Sequence, residues 1–399
     1  MSQSSIFQRV KARWESERYF LRTLGPVKYV KYYSYFHGGP RIVELKRPGN
    51  TRRAYVSYVP EALIRDYDSP WMNGHQNRRE MVKIADVLLR NGYDVCVQDY
   101  EDRPRDLGRF DLIFGHSPLI DYQMDRNPGA KSVLYGTTAY LPWHFKRSSE
   151  RLAEFSEKYG VTVSDRRVEK ACGVYGTVDA ILQIGSKFTL ESFPAEYRGK
   201  ITLINQSSNY RGTPDIEGRI AGANPRKFLW IGSLGSIQKG FDLVVEYFLA
   251  HPELEIDMVG IIDKEVLAVF ADRLKGAKNI RLHGFMDVNS PEFERVTRDT
   301  AFHLFPSCTE GSPGALIVTM KMGIITLASR MSAHDGIDTY GHMIQDETLE
   351  AIDEAVRWSQ ALSADDRARL MRANATYARR WTLAGFEREF EHFIQSLQQ

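Results

Sequence analysis

Two runs of alternating strand and helix signals, broken once by a stretch rich in Asn, Ser, Gly and Pro, constrain this chain more than any other feature. The first run starts at the β-branched and aromatic segment 54–60. It continues through YDVCVQDY, FDLIFGH, KSVLYGT and AILQIGS, with Met81, Ile84, Ala85, Leu88 and Leu89 at helical spacing between the first two strands and Gly92 closing that helix. Residues 146–159 read as a further, polar-faced helix. Residues 205–226, NQSSNYRGTPDIEGRIAGANPR without its flanks, have connector composition. The second run then begins, with strands expected at 227–233, LEIDMVG, IRLHGF, AFHLFPS and IITLAS. Helices are expected at 240–250, 263–275, 291–298 and 313–322, with three more towards the end of the chain. Strands alternating with helices predict parallel sheets covered on both faces. The fold class expected is α/β, as two facing Rossmann-like domains with a cleft between them.

Composition narrows the classes of function. Of the 399 residues 43% are hydrophobic, enough for two cores and too many for a disordered chain. The net charge of +2 lacks the basic excess of a generic nucleic-acid binder, so no nucleic-acid partner is expected. Cys96, Cys172 and Cys308 form neither a disulfide framework nor a zinc motif, and MSQSSIFQRVKARWESERYF is too charged for a signal peptide. These features predict a cytoplasmic protein. The charge is uneven, however: residues 1–52 carry eleven Lys and Arg against three Glu, and 28–36 read KYVKYYSYF. Lysines among amphipathic aromatics suit an anionic membrane surface, so residues 1–36 could seat the protein peripherally on the inner face of a membrane; the plainer expectation is a segment packed on the body.

Two segments carry chemistry. In KFLWIGSLGSIQKGFD an apolar strand runs into a loop containing Gly232 and Ser233, and Lys239 and Gly240 then open a helix. Glycines permit close backbone approach and helix N-terminal amides favour anions, with Lys239 to neutralise phosphate. In FHLFPSCTEGSPGALIVTMKMG a second strand leads into Glu310, Gly311, Ser312, Pro313, Gly314 and Ala315 before an apolar helix. Backbone amides of 312–316 would form a receptacle for diphosphate or sugar oxygens. Glu310, repelled by phosphate, would take sugar hydroxyls; it could otherwise cap the helix.

Together these segments resemble the retaining GT-B glycosyltransferases of glycosyltransferase family 4. Gly232, Lys239, Gly240 and Asp242 match that family's phosphate loop, and Glu310, Gly311, Pro313, Leu316 and Gly323 its second motif. The resemblance is specific over about 225–335 and architectural over 54–205. It implies sugar transfer from a nucleotide-diphospho-sugar co-substrate to a glycan or glycolipid acceptor, in polysaccharide or glycolipid synthesis, without a metal or other cofactor. It implies a segmentation into 1–52 (basic aromatic segment), 53–205 (acceptor domain), 206–226 (linker), 227–380 (donor domain) and 381–399, a helix that could cross back to the first domain. Lys239, Glu310 and His116 would be catalytic. Gly232, Ser233, Gly284, Phe285, Gly311, Ser312, Pro313, Gly314, Ala315 and Thr319 would bind donor, and Asn73, Gly74, His75, Trp143 and His144 acceptor.

Two departures stand out. Ser233 occupies the place of a family arginine. Val318 occupies that of the glutamate that holds the ribose hydroxyls, with Thr319 as the neighbouring candidate to replace it. Valine accepts no hydrogen bond, so a non-catalytic sugar- or nucleotide-binding protein of the same shape is the alternative. A sugar-nucleotide epimerase is a second, and a periplasmic binding protein a third.

Overall fold

The computed structural model describes residue 39 and residues 41–116, 118–165 and 173–398. Residues 1–36, with the expected membrane contact, and Cys172 lie outside them. Among the described residues seven strands make the first sheet: β1 (Ile42–Leu45), β2 (Arg52–Tyr58), β3 (Tyr93–Asp99), β4 (Leu112–Gly115), β5 (Lys131–Gly136), β6 (Ala180–Ile184) and β7 (Ile201–Ile204). Their order is β1-β3-β2-β4-β5-β6-β7, parallel except for antiparallel β1. The second sheet holds β8 (Asn224–Gly232), β9 (Glu255–Gly260), β10 (Ile280–Gly284), β11 (Thr300–Phe305), β12 (Ile325–Ser329) and β13 (Gly341–Ile344), all parallel in the order β10-β9-β8-β11-β12-β13. Runs such as FLW in β8 and TAFHLF in β11 are buried throughout, as strands covered on both faces must be.

Four details depart from the sequence reading. Ile42–Leu45, placed there in the basic N-terminal segment, is the edge strand of the first sheet. The expected connector 206–226 contains the helix Ile216–Gly222, capped by the Asp215 carboxylate on the Gly218 N–H. Strands β7 and β13, each of four residues, carry too little alternation to register in sequence. The helix expected at 146–159 starts earlier, at Leu141–Tyr159, and joins both cores. Leu152 and Phe155 pack with residues of the second sheet, and Arg151 pairs with Asp242 at 2.9 Å.

The helix Asn77–Arg90 covers the first sheet, and Leu383–Ser396 packs beside it. Phe386 and Phe390 enter the first core, while Lys83 and Arg90 pair with Glu387 and Arg90 also with Glu391. Burying each phenylalanine is worth roughly 1.5–3 kcal/mol, against at most about 1 kcal/mol for each of these partly exposed pairs. Apolar packing therefore decides that the chain's last helix rests on its first domain.

Candidate functional site

The carboxyl ends of both sheets face a cavity of about 960 Å³. Loops leave parallel strands there, so that edge gathers functional side chains. From the first sheet come Tyr58 at the end of β2, His116 after β4 and Tyr135 and Gly136 of β5. From the second come Gly232 and Ser233, Gly260, Phe285 and Phe305.

Lys239 reaches this cavity because Gly240 turns the chain. Gly240 sits at φ 71° directly before Phe241–Ala250, and a Cβ there would come within 2.5 Å of the Pro306 carbonyl oxygen. Lys239 Nζ lies 2.9 Å from Glu310 Oε1, which also accepts the Ser307 hydroxyl at 3.0 Å. The expected cation and the expected sugar-binding carboxylate thus form one ion pair, and Glu310 is not a helix cap. Gly314–Lys321 starts after Pro313, which stands at the N-cap rather than in the first turn. Ser312, Pro313, Gly314 and Ala315 line the cavity in front of it.

Of the remaining expected residues, Asn73, Gly74, His75, His116, Gly232, Ser233 and Phe285 also line the cavity, while Gly284, Gly311, Thr319, Trp143 and His144 do not. Thr319 is fully buried, and its hydroxyl donates to the Leu316 carbonyl at 3.0 Å and meets His303 Nδ1 at 2.8 Å. One position is 100° of helix rotation, so Val318 faces the cavity and Thr319 the core. His144 is a buried strut, its Nδ1 2.9 Å from the Thr309 hydroxyl across the two domains. Gly311 serves the same junction, where a Cβ would lie 2.7 Å from the Thr137 carbonyl oxygen and 2.9 Å from that of Ile184. Asp242, matched to the phosphate loop, is buried against Arg151.

The histidines in the cavity are neutral near pH 7. Burial holds His116 down to about 4, beside the rings of Tyr58, Tyr100 and Tyr135. His75 is likewise lowered, first by the desolvating walls and then by Arg78 and Lys239; its ring is open to the cavity, which tempers the effect. Its Nδ1 accepts the Asn77 N–H at 3.2 Å, which leaves Nε2 to carry the proton.

Several lining residues are absent from the sequence reading. Gln206 joins the halves by donating to the Ser312 carbonyl, and its Oε1 accepts from Gln76 at 2.8 Å. Met286, Asp287, Val288, Ile231 and Ile261 form an apolar wall with one carboxylate beside Phe285. Glu80 also lines the cavity. Its signal was available: 80, 84, 87 and 88 share the buried stripe of one helix, where a carboxylate is out of place.

No group of His, Cys, Asp or Glu that could hold a metal occurs among the described residues. The Asp66-Tyr67-Asp68 pair lies in an exposed turn, with Asp66 accepting the Asp68 N–H at 3.1 Å. No helix among the described residues is long and apolar enough to cross a membrane.

Neither a protein-family model nor a curated protein sequence matches the chain. Solved structures do. HepE of Anabaena, in complex with UDP-glucose, is similar with a TM-score of 0.56 at 12% identity, over 86% of this chain and 99% of that one. Sucrose-phosphate synthase of Thermosynechococcus elongatus is similar with a TM-score of 0.57 at 13% identity, over 86% and 98%. At such identities the likeness is one of architecture, and it agrees with the two parallel sheets and the cleft between them. The chain has the GT-B fold of these glycosyltransferases.

Proposed function

We propose that this protein is a retaining, metal-independent glycosyltransferase that moves a sugar from a nucleotide-diphospho-sugar to an acceptor hydroxyl, in polysaccharide or glycolipid synthesis. The observation that carries the reading is the convergence of Lys239, Glu310 and the 312–315 turn on one interdomain cavity. While that cavity holds no anion, Glu310 balances Lys239. An incoming diphosphate competes for the ammonium and frees the carboxylate for the hydroxyls of the sugar. As the glycosidic bond breaks, negative charge grows on the leaving phosphate. Lys239 and the amides before Gly314–Lys321 then act more strongly on the transition state than on the ground state. His116, a neutral imidazole, can donate or accept a hydrogen bond on the opposite wall without adding charge.

Val318 lines the cavity and Thr319 is turned away, so neither offers the ribose an acceptor. This favours a second reading, a sugar- or nucleotide-binding protein without turnover. A thermal-shift panel of UDP, GDP, ADP, CMP and dTDP with their sugar conjugates separates these readings, with UDP-glucose, the ligand of the HepE structure, tried first. Ligand at about 100 times its dissociation constant stabilises by roughly 2.7 kcal/mol. A shift with a nucleotide diphosphate followed by release of free sugar supports transfer. A shift without any release or transfer supports the binding protein, and no shift with any of them removes the donor reading.

A further inference from the structure

The second domain's wall of the cavity is apolar beside its anion-seeking end. Ile231 stands at the end of β8, Ile261 follows β9 and Phe285 follows β10, and these three strands are neighbours in the sheet. Ile261 is 50% exposed and Phe285 66%. Met286 and Val288 continue the surface, and with Ile231 they pack against the buried cluster that holds Val318. Val318 lines the cavity too, though it is only 2% exposed. Contiguous apolar surface left open beside polar groups marks a place where a ligand sits.

Helix geometry relates this surface to the anion end. Val318 comes four residues after Gly314, the start of Gly314–Lys321, so it stands about one turn, roughly 6 Å, along the same face. A ligand whose phosphate is held by Lys239 and the start of that helix therefore lays against this wall the group next to its phosphate. In a nucleotide that group is the pentose. Each hydroxyl of a pentose that is buried without a partner weakens binding. Valine offers none, and the Thr319 hydroxyl is bonded within the core to Leu316 and His303. Asp287, the carboxylate of this stretch, is engaged by its own loop: Oδ1 takes the Asn289 N–H at 2.9 Å and the Asn289 side-chain amide at 3.2 Å.

We infer that the site takes a 2′-deoxynucleoside diphosphate with a methylated base, thymidine diphosphate and its sugar conjugates, in preference to UDP. The inference rests on the nucleotide-sugar reading and adds to it which nucleotide is used. The two ligands differ at two places. Thymidine diphosphate has hydrogen where UDP has the 2′-hydroxyl, and a methyl group where the uracil ring has hydrogen. Both exchanges replace polar or smaller surface by apolar surface, which is what Val318, Ile231, Met286 and Val288 accommodate. The remaining 3′-hydroxyl lies on the far side of the ring from the lost one's wall contact and stays in water. The base reaches the open face of Phe285, where a flat ring stacks.

Isothermal titration calorimetry of the full chain with UDP, dUDP, ribothymidine diphosphate and dTDP tests this, since the set separates the two differences. Wild type is expected to bind dUDP roughly tenfold or more tighter than UDP, and the base methyl to add about fourfold on either pentose. Val318→Glu is expected to reverse the order of UDP and dUDP and to leave the methyl effect in place. Val318→Thr, which has the shape of valine, covers the case in which the glutamate variant does not fold, and is expected to narrow the gap between UDP and dUDP. UDP binding as tightly as dUDP in wild type overturns the inference and leaves the nucleotide-sugar reading standing, as does a gap unchanged in every folded variant. Tighter binding of decyl phosphate than of dTDP overturns both, the wall then serving a lipid chain. A preference for dTDP without sugar release or transfer keeps the inference and removes the enzyme.

Discussion

Single side chains decide the chemistry. On the proposed transfer Lys239 would stand where the leaving phosphate gathers charge, and losing one preorganised donor of this kind costs about 3–4 kcal/mol. Lys239→Ala is therefore expected to lower turnover by about a hundredfold or more in a steady-state donor-consumption assay, with the far-UV circular dichroism unchanged. Unchanged turnover would remove Lys239 from the mechanism. Glu80 makes a separate prediction about stability. Its folded pKa of about 7 lies above the ordinary 4.5, so the folded state holds the proton more tightly than the unfolded one. The stability this contributes is complete below 4.5 and is lost as pH rises through about 7. Glu80→Gln is neutral throughout. Chemical denaturation should find it gaining on wild type by up to about 3 kcal/mol between pH 5 and pH 8; a constant difference across that range would show the carboxyl is not raised. Gly232, Lys239, Glu310 and Pro313 were singled out in sequence because they follow strand ends in glycine-bearing loops, and all four line the cavity. Glu80 and Tyr135 were not, because each belongs to an element whose pattern is otherwise that of core.

At the scale of the element, Leu141–Tyr159 is the piece whose sequence says least about its task. Its stripe reads as an ordinary amphipathic helix. Its N-terminal end places His144 on Thr309, and its C-terminal half buries Phe155 against Phe270, 6.4 Å between ring centroids. Arg151 and Asp242 have side chains 6% exposed, and Arg151 Nη2 donates to both carboxylate oxygens of Asp242, at 2.9 and 3.1 Å. Burial raises the Asp242 carboxyl, and Arg151 offsets part of that rise. Removing one partner of such a pair strands a charge and costs about 3–5 kcal/mol, whereas replacing both by apolar groups is often neutral. Arg151→Ala should lose about that much in urea unfolding, and Arg151→Met with Asp242→Leu should recover most of it. A double variant as weak as the single one would mean the pair acts by orientation rather than by charge balance.

At the scale of the molecule, the cavity lies where the carboxyl ends of the two sheets meet across a hydrogen-bonded junction. Gly311 lets the second domain's turn touch the Thr137 and Ile184 carbonyls, and Gln206, Thr189 and Ser186 tie across the same junction to Ser312, Gly311 and Ala333. Gly311→Ala is expected to force the domains apart: solution scattering should show a larger radius of gyration and calorimetry a weaker nucleotide affinity, with secondary structure retained. An unchanged radius and affinity would show that the junction yields elsewhere. The sequence by itself carried the local things: the longer strands and helices, the strand–helix alternation of two parallel sheets, and two glycine-bearing loops at strand ends that reach the cavity. Period and turn chemistry act over a few residues, and so they are written there. Tertiary structure alone decided that Lys239 and Glu310 pair, that Val318 rather than Thr319 faces the cavity and that Ile42–Leu45 joins a sheet. Each of these depends on which buried surface finds a partner far along the chain, a choice made by packing that local pattern does not encode.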